Sequence, residues 1–274
     1  MQNRFLNKTL KDLCLINQIS FKSLCSGWVL HMNKNGVTRH IHGYHFDLNS
    51  DAASLIAQDK HATGCILKEQ NIPVLDQVYL LRTRNKDFLI REQIQEKISM
   101  FVFPLICKPN SGSGGHNVFL TRTSEELELA ITSVHKKERG VLVSEFQMIE
   151  KEYRVIVLDG EVMLIYGKKS TQEDLRHNLS RGATAILEIT SEIEEKIASL
   201  AIRSMDAINL TFGAVDIIEI QKEKKGEYSY KVLEINSGVC LEHYSKINRA
   251  CKEIAEGIYK KVFYRLFNIQ RDIF

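Results

Sequence analysis

The chain has 274 residues, with 37 basic against 34 acidic side chains and a formal charge of +3, too small to point to nucleic acid as its partner. Hydrophobic residues make up 44% and charged ones 26%, with only 3 Pro and 15 Gly, which excludes collagen-like and low-complexity chains and allows one or two domains with a real core. The longest apolar run, Met100 to Cys107, is far short of the roughly 20 residues of a spanning helix, and Asn17-Gln18 interrupt the early apolar stretch, so neither a membrane partner nor a signal peptide is expected.

Residues 4–17 alternate apolar and polar side chains at helical spacing and predict a short surface helix. Trp28–Met32 and Val37–Phe46 read as strands joined by Asn33-Lys34-Asn35-Gly36, whose Asn-Gly pair is a hairpin signal. One helix is expected from about Ser50 to Gln70, ending before Ile72-Pro73 because a residue preceding proline disfavours helix. Short mixed pieces then lead to Phe101–Lys108, an apolar strand entering a glycine-rich turn. Val118–Thr121 is strand-like, Thr123 caps a helix reaching Lys137, and Val141–Phe146 is a buried strand. Glu152–Leu158 and Glu161–Lys168 form a hairpin across Asp159-Gly160, and a polar loop covers 170–183. Thr190 to Asn209 is a long helix with Glu in its first turns. Thr211–Ile220 and Tyr228–Ile235 are alternating strands around a charged, solvated turn at 222–226, and Lys246–Phe267 is an amphipathic helix. Helices are missing between the strands of 152–168 and of 211–235, so the plan is α+β with mostly antiparallel sheets.

Four places carry possible chemistry. In Lys108-Pro109-Asn110-Ser111-Gly112-Ser113-Gly114-Gly115-His116, a Gly/Ser turn between strands can fold backbone N–H groups over phosphate oxygens, with Lys108 at its entrance. It lacks the P-loop pattern, and a plain surface loop is the competing meaning. Asp216 lies on an apolar strand, and Glu234 and Asn236 share one face of the next. These hard oxygen donors suit Mg²⁺ on nucleotide phosphates; carboxylates paired with nearby Lys or Arg are the alternative. Lys168, Lys169, Arg176, His177, Asn178 and Arg181 belong to a basic stretch suited to phosphate or carboxylate. Glu145 and Glu152 flank the apolar connector Phe146-Gln147-Met148-Ile149, which could sandwich an adenine ring or simply join two strands. His31, His40, His42 and His45 crowd the first hairpin, where zinc would need a preorganised third ligand. Cys14, Cys25, Cys65, Cys107, Cys240 and Cys251 show no C-x-x-C and read as reduced thiols, hence a cytoplasmic location.

Taken in order, several stretches resemble the ATP-grasp superfamily, in particular its RimK-like and cyanophycin-synthetase-like carboxylate–amine ligases. They are Gln58-Asp59-Lys60-His61-Ala62-Thr63 with Ile72-Pro73-Val74, Phe103-Pro104-Leu105-Ile106-Cys107-Lys108-Pro109 with its loop, and Glu152-Tyr153-Arg154-Val155. Arg176-His177-Asn178-Leu179-Ser180-Arg181-Gly182, Val215-Asp216 and Leu233-Glu234-Ile235-Asn236 complete the set, which spans about 50–245. The resemblance implies two α+β subdomains clasping ATP. It makes 51–274 the ATP-grasp domain, with a phosphate-loop subdomain at about 80–145 within 51–145 and a metal-binding subdomain at 146–274. Residues 1–50 would be a reduced N-terminal segment for substrate or oligomer contacts.

The resemblance further implies that Lys60, Lys108 and Lys168 (or Lys169) contact phosphates and that Ser111, Gly112, Ser113, Gly114 and Gly115 close over them. Glu145, Phe146, Gln147 and Met148 would hold adenine and Glu152 the ribose, while Asp216, Glu234 and Asn236 would bind two Mg²⁺, with Mn²⁺ as a substitute. Arg154, Arg176, Asn178 and Arg181 would face the substrate carboxylate and its acyl phosphate, and His243 and Tyr244 would contact substrate. Ser237-Gly238-Val239-Cys240 departs from the family's usual Pro-Gly after the metal Asn. The implied reaction joins an amino-acid or peptide carboxylate to an amine and releases ADP and phosphate. A nucleotide-binding protein without turnover and a hydroxyl kinase stay open beside it, as does a homodimer.

Overall fold

A computed structural model describes residues 4–82, 94, 96–112, 114–170, 182–221 and 227–270. The N-terminal helix α1 (Phe5–Ile16) buries Leu6, Leu10, Leu13 and Cys14. An antiparallel sheet follows, ordered β1 (Ser20–Leu24), β2 (Val29–Lys34), β3 (Val37–His42) and β4 (His45–Phe46). The strand expected over 37–46 is two strands, because Gly43 turns at φ +63° where a Cβ would sit 2.9 Å from the Trp28 ring. β1 carries no alternation of buried and exposed residues, so its sequence gave no periodic signal.

The single helix expected over 50–70 is also broken. Asp59 is extended, ends α2 (Asp51–Gln58) and caps α3 (Lys60–Glu69), its carboxylate accepting from the Ala62 N–H at 2.8 Å. Lys60 thereby becomes the first residue of a helix rather than the middle of one.

A four-stranded antiparallel sheet follows, made of β5 (Val78–Leu81), β6 (Leu105–Pro109), β7 (Phe119–Thr121) and β8 (Gly140–Glu145) in the order β5-β8-β6-β7. α4 (Ser124–His135) covers it through Leu127, Ile131 and Val134, packed on Leu105, Cys107, Val141 and Val143. β6 starts at Leu105 and not at Phe101, since Pro104 has no N–H for the ladder.

The largest sheet is antiparallel throughout: β9 (Ile149–Leu158), β10 (Glu161–Lys169), β11 (Thr184–Ile186), β12 (Phe212–Gln221) and β13 (Tyr228–Asn236), ordered β11-β10-β9-β12-β13. α5 (Ser191–Ala207) covers one face, where Ile197 and Ala201 meet Tyr153, Val155, Val157, Val215 and Ile217. α6 (Arg249–Leu266) and α1 cover part of the other face, over Ile156, Leu158, Phe212 and Ala214. Among the described residues no helix is long and apolar enough to cross a membrane.

The cores join residues distant in the chain. Ala53, Ala57, Leu67 and Ile72 lie in the core of the largest sheet, because α2 and α3 pack against β13, which contributes Val232 and Ile235. Residues of 6–46 share one core with residues of 156–266.

Candidate active site

Side chains alternate across a strand, so the face of the largest sheet that is apolar at Ile156 and Ala214 continues to Arg154, Glu152 and Asp216. The cover of α1 and α6 ends there and the face turns ionic. Register places Arg154 opposite Asp216, Asp216 opposite Glu234, Tyr166 opposite Arg154 and Lys168 opposite Glu152. Arg154 donates to both Asp216 oxygens, from Nε at 2.8 Å and Nη2 at 2.6 Å. The Lys168 ammonium donates to Asp216 at 3.1 Å and also to Glu152. The Asn236 amide reaches Asp216 at 3.2 Å and Glu234 at 3.3 Å.

The second sheet faces this row. Lys60 Nζ lies 3.5 Å from Glu234 and donates to the Gly112 carbonyl at 2.7 Å. Asn110 secures the start of α3: its carbonyl accepts from the Lys60 N–H at 3.2 Å and its side chain from the His61 N–H at 2.9 Å. Gly112 sits at φ +93°, a backbone region that favours glycine. Between the two layers is a cavity of about 530 Å³, lined by Lys60, Ser111, Gly112, Gly114, Arg154, Lys168, Glu234 and Asn236. Trp28, Tyr44, His45, Tyr166, Ser237, Cys240, His243 and Tyr244 line it as well.

Burial would raise the Asp216 carboxyl, but Arg154 and Lys168 hold it well below the usual carboxylate range. Burial pushes Glu152 up, against the pull of Lys168. Burial likewise pushes Lys108 down to about 8, with Glu234 and Glu152 favouring its charge and Lys60 opposing it. Lys60, Lys108, Arg154 and Lys168 thus converge with three carboxylates, leaving an excess of positive charge suited to an anion. Asp216, Glu234 and the Asn236 amide are hard donors of the kind Mg²⁺ takes, presented once the amide rotates and Asp216 gives up a bond to Arg154 or Lys168.

Of the expected residues, Lys60, Arg154, Lys168, Glu234 and Asn236 line the cavity, whereas Lys108, Glu152 and Asp216 are outside its lining. Arg154 is paired with Asp216, and Glu152 with Lys168. The connector lies apart from the cavity lining: Phe146 N–H bonds to the Pro104 carbonyl at 3.0 Å, and Glu145 accepts from the Val102 N–H at 3.2 Å. Gln147 and Met148 complete this joint between β8 and β9, that is, between the two sheets. Gly115 is outside the lining too. Ser113, Arg176, Asn178 and Arg181 lie outside the described residues. His31 Nδ1 and His40 Nε2 approach to 3.0 Å, but among the described residues no three His, Cys, Asp or Glu side chains group for a metal. Trp28, Tyr44, Tyr166 and Cys240 were missed as cavity residues; no local spacing marks a side chain brought in from a distant strand.

Residues 57–258 match the RimK-like ATP-grasp domain. With that match over most of its length, the chain belongs to the RimK-like ATP-grasp family, and its α+β architecture is the ATP-grasp fold. A D-alanine–D-alanine ligase of Haemophilus ducreyi is 27% identical over 198 residues, 70% of this chain and 61% of that protein. A probable alpha-L-glutamate ligase of Psychromonas ingrahamii is 25% identical over 199 residues, 72% of this chain and 61% of the relative. The chain therefore spans less than two thirds of either relative's length. The crystal structure of a D-alanine–D-alanine ligase from Bacillus anthracis superposes with a TM-score of 0.59 at 21% identity, covering 80% of this chain and 69% of that one.

Proposed function

We propose that this chain is an ATP-dependent carboxylate–amine ligase. ATP phosphorylates a substrate carboxylate, an amine attacks the acyl phosphate, and an amide, ADP and phosphate are released. The observation that carries this reading is the convergence of Asp216, Glu234 and Asn236 with Lys60 beneath the Gly112 turn. Lys60, Lys108 and Lys168 neutralise phosphate charge, and the turn at 111–115 excludes water that would hydrolyse the acyl phosphate. Arg154, held in orientation by Asp216, faces the substrate carboxylate, assisted by Arg176, Asn178 and Arg181. The joint at 145–148 holds adenine and Glu152 the ribose. Asp216, Glu234 and Asn236 would hold one or two Mg²⁺, with Mn²⁺ as a substitute, and the metal would neutralise charge on the phosphates when bound. The ligase names of the relatives support an amino acid as one substrate. Six unpaired cysteines support a reducing, cytoplasmic setting.

The test incubates the chain with Mg²⁺-ATP and panels of amino acids and dipeptides, following ADP release and product mass. The expected product weighs the sum of two substrates less one water. A stable phosphorylated product would make the chain a kinase, and no ADP from any panel would make it a binding protein without turnover.

A further inference from the structure

One histidine of the N-terminal sheet stands at the far wall of the cavity. The tight turn between β3 and β4 pairs His42 with His45 and carries the His45 ring to the segment that follows Asn236. There His45 Nδ1 lies 3.3 Å from Ser237 Oγ, and Ser237 Oγ lies 3.4 Å from the Ser54 carbonyl. The Ser237 hydroxyl has one proton for these two neighbours; where it goes to the Ser54 carbonyl, which only accepts, the hydroxyl oxygen receives a proton from His45 Nδ1. Burial, with His42 adding to it, lowers the proton affinity of the ring and keeps it neutral. Its one N–H is then on Nδ1, and Nε2 carries a bare lone pair. Among the described residues no protein group bonds to Nε2. A Cβ at position 238 would lie 2.9 Å from both Nε2 and Cε1, so Gly238 leaves that edge of the ring uncovered. This accounts for a glycine directly after Ser237.

We propose that His45 is a catalytic residue of the amide-forming half of the reaction, its Nε2 accepting the proton lost by the attacking amine. This rests on the ligase reading above. The neutral amine's lone pair forms the new C–N bond, and the acyl C–O bond breaks with its electron pair leaving on phosphate. The nitrogen becomes strongly acidic as it bonds the acyl carbon, and one N–H proton passes to Nε2. The imidazolium returns that proton to the departing phosphate, so amine plus acyl phosphate gives amide plus hydrogen phosphate. Tyr44 and Trp28, in turns at the end of the same sheet, line the cavity where the amine would approach.

Two measurements on the full chain test it. Long-range ¹H–¹⁵N spectra of histidine-labelled protein at about pH 8, with His45 assigned by its loss in His45→Gln, are expected to show the Nδ1–H tautomer. An Nε2–H tautomer overturns the proposal whatever the activity. With Mg²⁺-ATP and an equimolar mixture of the twenty amino acids, His45→Gln is expected to lower amide yield by about 100-fold. Acyl phosphate released by denaturing the protein and then trapped off it as hydroxamate with concentrated hydroxylamine, a step His45 does not touch, should reach at least about a third of the parent chain's level. Unchanged amide yield, or equal loss of amide and hydroxamate, overturns the role of His45. A parent chain that makes neither product overturns the ligase reading itself, and the proposal with it.

Discussion

Asp216 is buried between Arg154 and Lys168, so removing its carboxylate strands Arg154 and leaves Lys168 with Glu152 alone in a desolvated place. Asp216→Ala is expected to cost about 3–5 kcal/mol, read as a lower urea midpoint. Because the folded carboxyl titrates below its unfolded value of about 3.9, this stability is present above that pH and is lost as pH falls toward the folded value. Glu234 is partly open to the cavity and meets Lys60 at 3.5 Å. Glu234→Ala is therefore expected to leave thermal unfolding nearly unchanged while lowering ADP formation by about 100-fold or more. Lys108 gives a pH signature of opposite sign. A phosphate beside it favours the charged form, raising a group that titrates at about 8 in the free protein. Nucleotide affinity should be constant below that pH and fall above it, approaching tenfold per unit. Calorimetry with a non-hydrolysable ATP analogue from pH 7 to 9.5 reads this, and Lys108→Met should flatten the profile.

The ends of the elements set the geometry of the cleft. Asn110 ties β6 to the start of α3, and with it Lys60 to the glycine turn. Asn110→Ala is expected to cost about 1–2 kcal/mol and to weaken nucleotide binding several-fold. Thr123→Ala, which removes the cap of α4 away from the cleft, should cost about 1 kcal/mol and leave nucleotide affinity unchanged. Comparing the two variants by calorimetry separates the joint from general destabilisation. The same ends show how far local pattern carries. Thr123 was legible as a cap because it precedes an amphipathic run. Asp59 was not, because the helical periodicity continues on both sides of it and the break serves contacts made by Asn110, fifty positions on. β5, β1 and β11 are short or unpatterned, and only pairing with neighbours makes them strands.

At the scale of the molecule, the N-terminal helix and sheet form one core with the C-terminal helix. Phe46 meets the Phe212 ring edge-on at 5.4 Å and stacks on Tyr259 at 6.1 Å, joining three distant parts of the chain. Phe46→Ala is expected to cost about 3–5 kcal/mol, and hydrogen exchange should quicken in α1 and α6 together. Sequence by itself determined the antiparallel α+β plan, the glycine turn after Lys108, and the strand face that carries Glu234 and Asn236. Those features follow from alternation, turn chemistry and the cost of burying carboxylates, all of which act between near neighbours. Tertiary structure decided that Asp216 holds Arg154 and Lys168, that α2 and α3 pack on the largest sheet, and that His45 reaches Ser237. Such contacts join residues far apart in the chain, and they form only when whole faces are buried against one another, a choice that no local periodicity records.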